Sequence, residues 1–220
     1  MHEASQHPDP SAATGERGEH RADLPDSDES GGFRKLGSLH NIVSKRIIEQ
    51  LPAAAPLFIA RDDLGAIARA VDPKEFLRSQ RVDGPYRVRG AFEGGPNAAF
   101  LVHAVGMAWG QKMKKDSACT FALFSDVLVE AGEFHNALNF LGVLGVPGIL
   151  IGVAMGESGA LAERGVAYGL PSKTLVCTGW KTFKEDTTLG PLSGPLLLEI
   201  NVRALRGPIP PEHLSAFEGA

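Results

Sequence analysis

One acidic residue, Asp126, stands where a parallel α/β sheet places the groups that bind ligands. The apolar run TFALF (120–124) predicts a buried strand, and Ser125-Asp126 ends it. Gly132 then begins a helical segment, GEFHNALNFLGVLG, which Pro147 breaks, and a second apolar run, GILIGVA, follows. This order of strand, helix and strand predicts a βαβ unit, and the carboxyl ends of its strands form the edge at which ligands bind.

Asp126 has two possible roles at that edge. Its carboxylate could help to hold a hard cation such as Mg²⁺, which takes oxygen ligands and usually shares them with a diphosphate. It could instead cap the turn that follows the strand. The residue pattern leaves both alternatives open. His103 is a weaker metal candidate, because no second His, Cys or carboxylate stands at metal spacing from it. No catalytic residue is assigned.

The segment around Asp126 is similar to a known family. SDVLVEAGEFHNALNFLGVLGVPGILIGV (125–153) resembles the diphosphate-binding domain of thiamine diphosphate enzymes, above all the alpha subunit of 2-oxoacid dehydrogenases. In that family an apolar strand ends in Gly-Asp-Gly, and a helix close to Gly-Asp-Phe-His-Glu-Ala-Leu-Asn-Phe follows. GEFHNALNF (132–140) and the turn Val146-Pro147 align with this pattern without a gap.

Three further segments extend the resemblance over about residues 97 to 203. HAVGMAWGQKMK (103–114) is similar to the family's Gly/Ala-rich helix, and AERGVAYGLPSKTLV (162–176) to a later helix and strand. GPLLLEINVR (194–203) resembles the closing strand, and it is equally similar to that of phosphonopyruvate and sulfopyruvate decarboxylases. The resemblance implies a thiamine diphosphate-binding fold with thiamine diphosphate and Mg²⁺ as cofactors.

Carried over residue by residue, the family pattern makes Asp126 the metal ligand. It places Ser125, Asp126, Val127 and Ala154 along the cofactor. Ser125 and Val127 replace the two family glycines, and a branched valine would crowd the approach of the backbone to a diphosphate. The family's Asn pair falls on Ala154 and Met155, whose side chains offer no hard oxygen ligand. The family segment after that pair is also shorter here.

The length of the chain bears on its partners. Thiamine diphosphate lies between two related domains in this family, and about 188 residues remain here after the N-terminal tail, enough for one. The resemblance therefore implies a homodimer, or a hetero-oligomer with a pyrimidine-binding partner subunit. The chain would then be a subunit of a thiamine diphosphate-dependent decarboxylase or dehydrogenase of a small 2-oxo acid. The alternatives are a non-catalytic binding or scaffolding protein that has lost the cofactor site, and an unrelated α/β protein that binds a nucleotide or coenzyme.

Composition predicts three regions. Residues 1–32 carry eight acidic residues and two arginines, and they lack aromatic residues, Val and Ile, so we expect a disordered acidic tail. Residues 33–205 form a single α/β domain, a three-layer sandwich around a mainly parallel sheet, because its strands are apolar throughout. Residues 206–220 form a Pro-rich tail.

The remaining patterns restrict the class of protein. Outside the acidic tail the net charge is +2, without the broad basic surface of a nucleic-acid-binding protein. No apolar run reaches membrane-spanning length and no secretory signal begins the chain, so we expect a cytoplasmic protein. Cys119 and Cys177 lie in apolar runs and are expected to be buried, small apolar residues rather than a disulfide.

Helical spacing predicts helices from Leu39 to Leu51 after a Ser38 cap, and over 64–71, 73–80, 97–115, 133–145 and 158–168. Apolar runs predict strands over 56–60, 118–124, 148–154, 173–177 and 196–202. Residues 81–96 are expected to form a surface loop with a short extended piece at 86–88. Trp180, Lys181, Lys184, Glu185 and Asp186 are expected in a solvated loop.

Overall fold

A computed structural model describes residues 39–60, 91–94, 98–205 and 208–213. Its strands form one parallel sheet in the order β2-β1-β3-β4-β6-β5. The strands are β1 (Leu57–Ala60), β2 (Ala91–Gly94), β3 (Thr120–Ser125), β4 (Gly148–Ala154), β5 (Ser172–Val176) and β6 (Leu196–Asn201). The helices are α1 (Leu39–Ile48), α2 (Ala99–Met113), α3 (Gly132–Leu144), α4 (Ala160–Ala167) and the short α5 (Phe183–Asp186).

The sheet lies between two helical layers, which confirms the predicted α/β sandwich. β4 is buried at every position, because its side chains alternate between two apolar clusters. On one face, Ile149 and Ile151 pack with α1 and with Phe183 of α5. On the other face, Leu150 packs with α2, α3 and Leu161 of α4. Burial on both faces explains why the central strands are apolar runs and do not alternate with polar residues.

The end of α3 is fixed by local sequence and by a contact from α2. Gly145 adopts a left-handed φ of 53° and its N–H bonds to the Leu141 carbonyl, an arrangement that favours glycine and ends the helix. Lys112 Nζ donates to the carbonyls of Leu144 and Gly145, at 2.6 and 3.3 Å. A cation at these terminal carbonyls is favourable, and it joins the carboxyl ends of α2 and α3.

Two local predictions were wrong. The segment 81–96 was expected to be a loop, but Ala91–Gly94 forms β2 and pairs in parallel with β1, in the register Leu57↔Ala91. This short strand depends on a distant pairing partner that local pattern does not reveal. The expected solvated loop around Trp180 is exposed at Lys181, Lys184 and Glu185, but it is not all loop. It contains α5, in which Phe183 is buried and its ring lies 5.5 Å from that of Trp180.

Other expectations fall on parts of the chain that the structure does not describe. They are the acidic tail over 1–32, the Ser38 cap, the helices at 64–71 and 73–80, the extended piece at 86–88 and most of the tail from 206. The remaining predicted elements are present, with ends that coincide or differ by at most three residues. Among the described helices, none has both the length and the apolar composition that a membrane span requires.

Candidate functional site

The carboxyl ends of β3, β4 and β6 meet at one edge of the sheet. The register pairs Ser125 with Val153 and Ala154 with Asn201, so the three strands end side by side. A 3-10 turn over Asp126–Leu128 follows β3 directly. The residues 155–159 that connect β4 to α4, here called the edge loop, cross the same edge.

The Asp126 carboxylate binds the edge loop. Its Oδ2 accepts hydrogen bonds from the backbone N–H of Met155 at 2.7 Å and of Gly156 at 3.3 Å. Among the described residues, its Oδ1 has a long contact from the Ser125 hydroxyl, at 3.4 Å. The carboxylate therefore caps the loop after the neighbouring strand, 29 residues away, which the sequence alternatives did not foresee.

Glu199 is the residue at this edge that sequence reasoning missed. It is fully buried. Its Oε2 accepts from the N–H groups of Leu161 and Ala162, both at 3.1 Å, and its Oε1 accepts from Gly159 N–H at 2.9 Å. The first N–H groups of a helix lack partners within the helix, so Glu199 caps α4 from the adjacent strand. A lone Glu inside the apolar run LLLEIN was the available signal, since a buried carboxylate needs hydrogen-bond partners.

Asn201 links Glu199 to Gly156, the loop residue whose N–H also binds Asp126. Its side-chain amide donates to Glu199 Oε1 at 3.1 Å and to the Gly156 carbonyl at 3.3 Å. Asp126, Glu199 and Asn201 together bind backbone groups of Met155, Gly156, Gly159, Leu161 and Ala162. The edge loop is thus held to β3 at its start and to β6 at its end.

The other predicted site positions lie around Asp126 but present little chemistry. Ser125 is half-buried, and Ala154 is buried with its carbonyl accepting from Val202 N–H at 2.9 Å. Val127 and Met155 are 79% and 62% exposed, so apolar side chains border the carboxylate. The role of Ser125, Val127 and Ala154 as cofactor-lining positions stays a prediction.

These residues do not fit a magnesium–diphosphate group in the observed arrangement. Among the described residues, no three His, Cys, Asp or Glu side chains are grouped so that they could hold a metal ion. The loop amides of Met155, Gly156 and Gly159, and the Leu161 and Ala162 amides of α4, already donate to Asp126 and Glu199. The loop also lies close: a Cβ placed on Gly156 would be 4.0 Å from Asp126 Oδ2. No chemical step through the cofactor can be derived from this chain's own residues.

A second surface stands out on the outer side of α2 and α3. Four large apolar side chains are exposed there, and with Gly106 and Gly110 they define the α2/α3 face: Trp109 (51% exposed), Met113 (69%), Phe140 (45%) and Val143 (76%). A Cβ placed on either glycine would meet no atom within 4 Å. Large apolar side chains exposed on two adjacent helices are candidates for a contact with another chain.

The two cysteines are free and do not form a nucleophilic site. Burial, with a smaller contribution from the negative charge of Asp186, raises the pKa of Cys177 to about 12. Hydrogen bonds from the Thr178 N–H and the Thr182 hydroxyl lower the pKa of Asp186, which stays ionised beside it. The expectation of burial holds for Cys177, whereas Cys119 is half-buried.

Comparison with known proteins gives two similar relatives. The chain is 29% identical over 119 residues to the pyruvate dehydrogenase E1 component subunit alpha of Zymomonas mobilis, covering 46% of this chain and 33% of that one. It is 33% identical over 88 residues to the mitochondrial 2-oxoisovalerate dehydrogenase subunit alpha 1 of Arabidopsis thaliana, covering 35% of this chain and 19% of that one. The chain thus spans a third or less of these relatives. No family model matches it.

Among solved structures, the chain is similar to one from Mycobacterium smegmatis described as a thiamin diphosphate-dependent enzyme. The TM-score is 0.49 at 13% identity, with 73% of this chain and 31% of the other covered. The two sequence similarities, both to alpha subunits, confirm that this chain resembles 2-oxoacid dehydrogenase alpha subunits.

Proposed function

We propose that the chain is a subunit of a thiamine diphosphate-dependent 2-oxoacid dehydrogenase or decarboxylase assembly, which forms its site with a partner chain. The observation that carries this proposal is the sequence similarity to the alpha subunits of two 2-oxoacid dehydrogenases. The fold supports it, because the parallel sheet brings Asp126 to the edge at which such folds bind ligands.

A partner chain is part of the proposal for two reasons. The described residues do not complete a metal–diphosphate site, so the missing groups must come from elsewhere. The α2/α3 face also exposes apolar side chains that a partner would cover. The partner would be a pyrimidine-binding subunit or a second copy of this chain. The part of this chain is then to present the sheet edge and the α2/α3 face, and we assign no chemical step to its side chains.

A second candidate is a non-catalytic binding or scaffolding subunit derived from the same fold. The hydrogen bonds that Asp126 accepts from Met155 and Gly156 favour it, because they use the carboxylate that would anchor a metal. The buried methyl group of Ala154 also favours it, because it stands where the related family has a ligand side chain.

Co-expression with the beta subunit of a 2-oxoacid dehydrogenase, as a candidate pyrimidine-binding partner, tests the first candidate. The expected result is a stable complex in size-exclusion chromatography with light scattering. Its melting temperature should rise with thiamine diphosphate and Mg²⁺, since a ligand at ~100 times its dissociation constant stabilises by ~2.7 kcal/mol. A complex that shows no shift supports the scaffold candidate. Failure to associate with the subunit or with itself contradicts both.

A further inference from the structure

We infer that Asp126 is an internal clamp that takes the place of a metal ion, so that this chain closes its sheet edge without a cation or a diphosphate. In the family that the chain resembles, the corresponding carboxylate is a metal ligand. Here it joins the end of β3 directly to the loop after β4. The inference concerns the chain alone, and it goes beyond the proposed assembly with a partner.

The hydrogen bonds between the edge loop and Asp126 both run from a backbone donor to the carboxylate. Two backbone N–H groups, of Met155 and Gly156, point at the same oxygen of Asp126. Each N–H carries a partial positive charge, so the pair occupies the side of the carboxylate oxygen that a cation would need. A Mg²⁺ ion at this oxygen would face those positive groups, and it would have to displace them.

Residues of β6 hold the edge loop near its start, through Asn201, and at its end, through Glu199. Asn201 donates to the Gly156 carbonyl, and Glu199 accepts from Gly159 and from the first turn of α4. Moving the loop away from Asp126 to admit a diphosphate would therefore break contacts at both ends. The Leu161 and Ala162 amides are buried, so losing their Glu199 partner would be costly, and this cost anchors the start of α4 and the end of the loop.

Among the described residues, the side chains around Asp126 do not form a group of three or more His, Cys, Asp or Glu ligands for a metal ion. Neither Ala154 nor Met155 offers a side-chain oxygen, and the exposed apolar side chain of Val127 stands beside the carboxylate. Asp126 and Glu199 place two carboxylates at the edge, and the anionic charge of a diphosphate would be repelled by both.

The test uses the full purified chain without a partner. Amide hydrogen exchange and thermal melting are measured for the native chain, for Asp126→Ala and Asp126→Asn, and for Asp116→Ala as the matched control. Asp116 is suitable because it also accepts a backbone hydrogen bond, from the Ala118 N–H at 2.9 Å. It precedes the first residue of β3, whereas Asp126 follows the last. Asp126→Asn keeps the size of the side chain and provides a second variant if Asp126→Ala fails to fold.

We expect the melting temperature of the native chain to be the same in EDTA and in Mg²⁺ with thiamine diphosphate. Asp126→Ala should accelerate exchange of the Met155 and Gly156 amides by roughly tenfold or more, since a charged acceptor is lost. Asp126→Asn should show a smaller acceleration, and Asp116→Ala none at these amides.

Two results would overturn the inference. One is a melting temperature that falls in EDTA, or that rises with Mg²⁺ and thiamine diphosphate in the native chain and not in Asp126→Asn. The other is unchanged exchange of the two amides in both Asp126 variants. Neither result bears on whether the chain associates with a partner, which co-expression measures, and a rise with Mg²⁺ and thiamine diphosphate would overturn the clamp while favouring the proposed function.

Discussion

The two carboxylates at the sheet edge differ in their exposure to solvent, and this difference determines how much each contributes to stability. Asp126 is half-buried and binds two amides of a loop, whereas Glu199 is fully buried and binds three amides and an Asn side chain. A buried carboxylate is tolerated only while its hydrogen bonds are complete. Glu199 is therefore the more consequential residue for stability, although the sequence drew attention to Asp126.

Replacing Glu199 with Gln tests this ranking. The amide keeps one acceptor oxygen but turns an NH₂ group towards backbone N–H donors, so we expect a loss of ~2–3 kcal/mol in the free energy of unfolding. Urea denaturation measures the change. Glu163→Gln is the matched control, because Glu163 is exposed on α4. Equal stability of the two variants would contradict the capping role of Glu199.

The buried thiol of Cys177 makes a second residue-scale prediction. Its pKa, raised from 9.0 to about 12, keeps the thiol protonated in the folded chain. Its contribution to stability is complete below pH 9.0, and it is lost as pH rises towards 12, because the unfolded chain ionises first. At pH 8, iodoacetamide should leave Cys177 unmodified in the folded chain and modify it in urea, as followed by mass spectrometry. Rapid alkylation without urea would contradict the burial.

At the scale of the elements, packing between strand and helix depends on a glycine in β4. A Cβ placed on Gly152 would lie 2.9 Å from Phe124 Cζ and would also overlap a methyl group of Leu161. Neither neighbour can move freely, because both are buried in the cluster beneath α3 and α4. The absence of a side chain at Gly152 therefore lets α4 lie close to the sheet, and so positions the helix that Glu199 caps.

Gly152→Ala should destabilise the chain by ~1–3 kcal/mol, since it overpacks a filled core. Gly106→Ala is the matched comparison. It adds the same methyl group to the exposed side of α2, where nothing lies within 4 Å, and should stabilise by about 0.5–1 kcal/mol through helix propensity. Thermal or urea unfolding gives both values. Effects of the same sign would show that the spacing around Gly152 differs from the one described.

The sequence was a good guide to elements that are fixed locally. The apolar runs of β3 and β4 and the helix between them are evident because burial on both faces leaves a continuous signal. The contacts of the site were not predictable in the same way, because Asp126 and Met155 are 29 residues apart and Glu199 and Gly159 are 40 apart. Only the three-dimensional pairing of strands shows that these residues meet. β2 was missed for the same reason.

At the scale of the whole molecule, the proposed contact with another chain lies on the α2/α3 face. A charge placed in an apolar contact is expensive to bury, so Val143→Glu should abolish association with a partner or a second copy. Val166→Glu is the matched control, because Val166 is similarly exposed, at 63%, but lies on α4 outside that face. Sedimentation velocity should show dissociation for the first variant and none for the second. If association survives Val143→Glu, the contact lies on a surface other than the α2/α3 face.

The hydrogen bonds from Lys112 to the end of α3 carry a consequence for the kinetics of such an encounter. They link the carboxyl ends of α2 and α3 within the chain itself, before any partner binds. A preorganised surface loses little conformational entropy on binding. More of the free energy gained by burying Trp109 and Val143 therefore contributes to affinity. The speed of association should then depend on collision and orientation, without a slow rearrangement of this surface.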